Sequence, residues 1–461
     1  MGRIFSSKMT RRALSGFAGD SHLKELFLGS STSFFFRIAG LLAGYLFTFV
    51  ITRKLGAAAM GGFSISLTLL NLLILPGKLG LDTASIKLSA QYASSGEWAK
   101  LKGAHRLAVK ISFIAGLALG LALFSGSGFI AGHIFHKAGL AAPLRIISFA
   151  VIPASLAAIN TEGLRGLKKI GQYSFLQYVP VSLFAALFTA AILVFRRDAE
   201  APVLGYCAGT VLVSAASFYF WGRQQGIRGI KAGRPFSGLP EAGNLLKLSF
   251  PMFISNSVLA AMGLIDTLVL ALWRTESEVG IYSVALKIAA LTGLPLLAIN
   301  TIAAPKFAEL HAKGDKAGLQ KVIRHTAKLI FFSSMPVLAV IFAFPSFLLG
   351  LFGGEFRAGT YAVLVLAAGQ FINAASGSVG YILQMTGRQN TFRNTVLAAL
   401  AINIVLDLIL VPRMGIYGAA FANMLGLIFW NLCSVAYIRS YLNVTTFYFP
   451  RLSGHVKKRA A

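Results

Sequence analysis

Apolar residues in this chain come in long blocks separated by short charged stretches, from residue 28 to residue 438. Twelve blocks have the length and composition to cross a bilayer: 28–51, 58–78, 105–126, 143–163, 172–195, 203–222, 248–271, 279–303, 328–350, 360–384, 393–412 and 416–438. A run of about 20 apolar residues spans the hydrocarbon core. Inside it each backbone N–H and C=O needs a partner, so such runs must be helices. The pattern predicts an all-α polytopic membrane protein with about 12 transmembrane helices. Residues 79–104 are amphipathic and read as a broken extension of the second span. The longest outer connection, 127–145, is too short for a catalytic domain, which argues against an enzyme such as a glycan polymerase or ligase.

Charge gives the orientation. With the N-terminus inside, the cytoplasmic connections and tails hold 31 Lys and Arg and the outer connections hold 9. That asymmetry predicts both termini cytoplasmic. The expected organisation is a cytoplasmic tail 1–27, a first lobe 28–222, a cytoplasmic linker 223–247, a second lobe 248–438 and a basic cytoplasmic tail 439–461. The net charge of +28 would suggest nucleic acid in a soluble chain. Here topology accounts for most of it, with anionic lipid as the natural partner. No cleavable signal peptide is expected, because residues 1–27 are polar and basic. Cys207 and Cys433 lie in apolar runs and read as buried small residues. His133 and His136 read as a solvated pair. No metal or cofactor is expected.

The two halves repeat. Gly96-Glu97, Leu101, Arg106 and Lys110 recur 218 positions later as Gly314-Asp315, Leu319, Arg324 and Lys328. At an offset of 219, Phe63-Ser64 aligns with Tyr282-Ser283, Pro76 with Pro295, and Leu164, Lys169 and Tyr173 with Leu383, Arg388 and Phe392. Six spans per half make the repeats parallel about an axis along the membrane normal. Pro76 and Pro295 are expected to kink their helices at equivalent points.

Charges inside spans are rare and need protein or water around them. Arg37 lies roughly 14 Å from the inner end of the first span, and Lys287 roughly 12 Å from the outer end of the eighth. Both are expected to face a hydrated space between the halves. Lys78, at the inner end of the second span, adds to that cationic lining or snorkels to the interface. Asp266 is the carboxylate clearly within a span; it reads either as an ion-pair partner of Lys287 or as a coupling or gating group. Asp407 and Glu162 are expected at the interface. A space lined by Arg37 and Lys287 favours an anion, and Arg suits phosphate. Tyr45, Asn71, Asn256, Asn300, Gln370 and Asn373 are candidate sugar contacts, or interhelical hydrogen bonds.

Gly62-Phe63-Ser64, Lys78-Leu79-Gly80-Leu81-Asp82, Leu164-Arg165-Gly166-Leu167 and Gly415-Ile416-Tyr417-Gly418-Ala419-Ala420 carry a family resemblance over residues 28–440. The chain resembles the oligosaccharide (O-antigen or exopolysaccharide) flippases, in the superfamily that includes multidrug and toxic-compound extrusion proteins. The resemblance implies two six-helix lobes and alternating access. It implies transfer of an undecaprenyl-pyrophosphate-linked glycan across the cell inner membrane for surface polysaccharide, including lipopolysaccharide or exopolysaccharide. A glycan polymerase or other assembly protein is a candidate partner. The alternatives are a drug or cation extruder of the same fold, which needs Asp266 as its cation site, and a peptidoglycan lipid II flippase, which usually carries more helices.

Overall fold

The computed structural model describes residues 21–196, 198–224 and 239–448. Among these there is no strand. Among the described residues nine helices are each long and apolar enough to cross a membrane, and the pair Ala138–Ser148 and Val151–Gly166, bent by 43°, makes a tenth. Every one of the twelve predicted spans falls on helix. The first two form one helical element, Ser21–Lys78, broken at Gly56, where φ is 82°. The apolar stretch within it is 48 residues long, roughly 70 Å at 1.5 Å per residue and so enough for two crossings.

The first lobe continues with Leu81–Ser94, Trp98–Phe129, the bent pair, Ile170–Tyr178 with Pro180–Phe195, and Ala201–Gly222. The second begins at Leu239, inside the predicted linker, with Leu239–Met262 and Ile265–Trp273. It continues with Glu276–Ala290, Leu294–Ala312, Lys316–Ala343, Thr360–Ser376, Val379–Met385, Gln389–Met414 and Ile416–Leu442. Residues 1–20, 225–238 and 449–461 of the predicted tails and linker lie outside the described residues. Inner and outer below follow the charge asymmetry.

The proline expectations meet local chemistry. Pro295 stands in the first turn of Leu294–Ala312, after the tight turn Leu291–Gly293, so the eighth span restarts there. A missing N–H is tolerated in a first turn. Pro76 sits in the last turn of its helix. Small residues let backbones touch. A Cβ on Gly40 would come within 2.2 Å of the Tyr178 carbonyl oxygen, closing the first span on the fifth.

The second and eighth spans cross at the centre. A Cβ on Gly61 would lie 1.7 Å from the carbonyl oxygen of Glu276, and a Cβ on Gly280 would lie 2.0 Å from that of Ala57. These are one contact seen twice, because Ala57 and Gly61 shifted by 219 fall on positions 276 and 280. A contact in which i meets j and j meets i is what a two-fold axis requires. The two six-helix repeats are therefore related by an axis through this crossing.

At the crossing and in the outer half of these spans residues 60–66 and 279–285 are all buried; further in, residues 71–76 and 293–299 are all partly exposed. The lobes meet outside and part inside. Gly61→Ala or Gly280→Ala should therefore destabilise the protein by at least the ~1–3 kcal/mol of an overpacked core. Gly128→Ala, with nothing within 4 Å of the new Cβ, should not. Thermal unfolding in detergent measures the difference.

Candidate functional site

Three groups of residues occupy the space around the crossing. The first is a face of the first span. Its outward stripe is Phe35, Leu42, Leu46 and Phe49, all well exposed. Arg37 is two residues, about 200°, from Phe35 on the helical wheel. It therefore lies opposite the lipid stripe, on the side that carries Thr48. Its guanidinium sits 5.1 Å from the Tyr178 ring centroid, an attractive cation–π geometry. Among the described residues no carboxylate pairs with it.

Lys287 stands about 16 Å further along that face. Its Nζ donates to Thr48 Oγ1 at 2.6 Å, and Tyr45 donates its hydroxyl to the Lys287 carbonyl at 2.5 Å. The first and eighth spans are thus clasped by a half-buried ammonium whose partner is a neutral hydroxyl. The expected ion pair with Asp266 is absent among the described residues, because the Asp266 carboxylate is engaged elsewhere. Lys78 corrects another expectation. It forms an ion pair with Asp82 at 2.5 Å, so its charge is largely neutralised. At the inner end Arg165 pairs with Glu162 at 3.4 Å and lies over Tyr173.

The second group is buried in the second lobe. Asp266 is 3% exposed and Asp407 is 0% exposed, so Asp407 is not interfacial as expected. Asp266 Oδ2 accepts from Tyr282 Oη at 2.8 Å and from Asn423 Nδ2 at 2.6 Å. Asp407 and Asn403 face the same carboxylate closely enough to act on it. Asp266 Oδ1, both Asp407 oxygens and both Asn403 amide atoms have no hydrogen-bond partner among the described residues. Two carboxylates this close in a dry interior cannot both stay ionised without compensation. The set can hold one shared proton or one small cation on oxygen ligands. Its counterpart in the first lobe is apolar: shifting Asp266 and Tyr282 back by 219 gives Phe47 and Phe63, whose rings meet at 5.1 Å. The same packing position is chemically active in one lobe and inert in the other.

The third group closes the outer side. Arg53 Nε donates to the Leu351 carbonyl at 2.7 Å, and Glu355 Oε1 accepts the Ala57 N–H at 2.7 Å, capping the second span from the other lobe. Reciprocally, Lys137 of the first lobe donates to the Ala271 carbonyl. Each lobe's long outer connection grips the elbow between the opposite lobe's first two helices. A cavity of 570 Å³ lies beside the grip, between Phe135, Lys137, Trp273 and Glu276.

The candidate sugar contacts divide. Asn71, Gln370 and Asn373 are partly exposed in the inner half, with Asn373 Nδ2 donating to Gln370 Oε1 at 3.2 Å. Asn300 is buried and its Oδ1 has no hydrogen-bond partner among the described residues. Tyr45 is committed to the clasp. The Asn256 side chain lies outside the described residues. Sequence reasoning missed Asn403 and Asn423 and misplaced Asp407. The signal was present, since Asn403 and Asp407 are four apart on one helical face.

A profile of the polysaccharide biosynthesis protein family matches residues 29–311. The chain belongs to that family. A second profile, MatE, matches residues 251–409. The chain is similar to the probable low-salt glycan biosynthesis flippase Agl15 of Haloferax volcanii, at 23% identity over 396 residues, covering 85% of this chain and 79% of the relative. Among solved structures, an inward-facing multidrug resistance MATE family transporter shares the fold with a TM-score of 0.74 at 13% identity, covering 87% of this chain and 94% of that one. The lipid II flippase MurJ in an inward closed conformation does so with a TM-score of 0.70 at 16% identity, covering 90% and 87%. The family member thus has the two-lobed fold that its sequence resemblance implied.

Asp266→Asn and Asp407→Asn test the buried pair. Each removes one acid at constant shape, so each should leave thermal stability unchanged or raised. A loss of stability comparable to that of a broken buried ion pair, about 3–5 kcal/mol, would identify the pair as structural instead.

Proposed function

We propose that this protein is a lipid-linked oligosaccharide flippase of the inner (cytoplasmic) membrane, with both termini cytoplasmic. It moves an undecaprenyl-pyrophosphate-linked glycan from the inner to the outer leaflet by alternating access, for surface polysaccharide biosynthesis. The observation that supports this reading is a pair of cations on one side of the first span, opposite its lipid stripe: Arg37, partly exposed and with no acidic partner among the described residues, and Lys287, whose partner is a hydroxyl.

An anion entering between the parted inner halves meets Arg37 first. Lys287 then offers a stronger contact than its present one, because a phosphate oxygen binds an ammonium better than Thr48 does. Transfer of Lys287 from Thr48 to the ligand would release one end of the clasp between the first and eighth spans. Asn71, Gln370 and Asn373 supply amides for sugar hydroxyls. Moving about two negative charges outward gains roughly 2.3 kcal/mol per charge for each 100 mV of inside-negative potential. The Asp266–Asp407 pair supplies the coupling ion site. Both carboxylates are buried in the second lobe, out of reach of a drug-sized cation, which disfavours the drug extruder reading.

Arg37→Ala and Lys287→Ala should each lower flux of a pyrophosphate-linked oligosaccharide into the outer leaflet of reconstituted vesicles at least tenfold, with Arg37→Lys intermediate. Unchanged flux in both alanine variants would remove the cationic face from the account.

A further inference from the structure

The end of the twelfth span does not lead directly away from the protein. The helix stops at Leu442, and Asn443 turns the chain with a left-handed backbone, φ 51°. Residues 444–448 then run back, without helix, along the inner half of the second lobe. Val444 and Thr446 are each 1% exposed, while Thr445 between them is exposed, the alternation of an extended segment. Val444 sits in a cluster with Phe307, Leu319, Ile323, Val379 and Leu383, which come from three different helices. The Tyr448 ring lies 5.4 Å from that of Phe331 and 5.6 Å from that of Phe332.

The decisive contact is polar. The tenth span is interrupted: Thr360–Ser376 ends at Gly377, with φ 70° and ψ −146°, and helix resumes at Val379. In an unbroken helix the Val379 N–H would bond the Ala375 carbonyl. Here it bonds Gly377, which leaves Ala375 without its helical donor; the N–H of Tyr448 replaces it at 2.8 Å. Irregular backbone at membrane depth survives only where protein or water satisfies it. In the first lobe the equivalent positions, 157 and 158, lie inside the uninterrupted helix Val151–Gly166, where no such donor is required.

We propose that residues 444–448 are a strap that holds the break in the tenth span, and that transport depends on it because Gln370 and Asn373 project from the same helix just before that break. Its role is positioning, through the backbone of Ala375, and it is separable from the residues that follow.

The test uses three variants of the full-length protein. A chain ended after Tyr448 keeps the strap, a chain ended after Leu442 removes it, and Tyr448→Pro deletes its N–H together with the ring that packs on Phe331 and Phe332. Each carries Ser376→Cys, a fully buried position, in a background lacking Cys207 and Cys433. Thiol labelling at position 376 needs no substrate, so it is independent of the flippase reading. The expected result is at least fivefold faster labelling and at least tenfold lower flux for Tyr448→Pro and for the chain ended after Leu442. The chain ended after Tyr448 should stay within twofold of full length in both. If the chain ended after Leu442 does not fold, Tyr448→Pro decides alone. Unchanged labelling in Tyr448→Pro would overturn the strap, as would equal loss in the chain ended after Tyr448.

Discussion

The structure depends on one close crossing, where the second and eighth spans touch backbone to backbone through Gly61 and Gly280. With a side chain at either position the helices could not approach, and the two lobes would lose the contact that defines their axis. Because the crossing lies toward the outer side, the elbows at Gly56 and at Arg274–Thr275 come together above it. There the grips from Arg53, Glu355 and Lys137 can form. Below it the same helices diverge, and polar and cationic groups that would be intolerable in lipid find a place between the lobes.

Symmetry makes the fold and asymmetry makes the chemistry. The reciprocal glycine contact and the reciprocal outer grips are properties of both repeats. The buried Asp266–Asp407 pair and the interruption at Gly377 belong to the second lobe, and Arg37 belongs to the first, where its counterpart at the 219 offset is Asn256. The unpaired arginine and the buried carboxylates thus lie in different lobes. The clasp of Lys287 on Thr48 and Tyr45 joins the two lobes.

Hydropathy was enough to place the apolar blocks, all of which fall on helix, because burial in lipid is a property of each segment alone. The repeat was legible because equivalent loops kept their glycines and charges. Partners across the lobes were not legible. Whether Asp266 meets Lys287 or Asp407 depends on which helices pack together, and contacts 140 or 240 residues apart leave no trace in one sequence. Asp407 was misjudged for a related reason: its distance from the end of an apolar block was taken for depth, whereas the helix continues to Met414. The tail after Leu442 looked like a departing basic segment because five residues are too few to announce a packed strap.

The central claim, lobes joined on the outer side and parted on the inner, is tested most directly by single cysteines on the two crossing helices. A membrane-impermeant thiol reagent applied from the predicted cytoplasmic side should label Asn71→Cys and Leu297→Cys and spare Ser64→Cys and Ser283→Cys. Labelling of positions 64 and 283 with protection of 71 and 297 would contradict it.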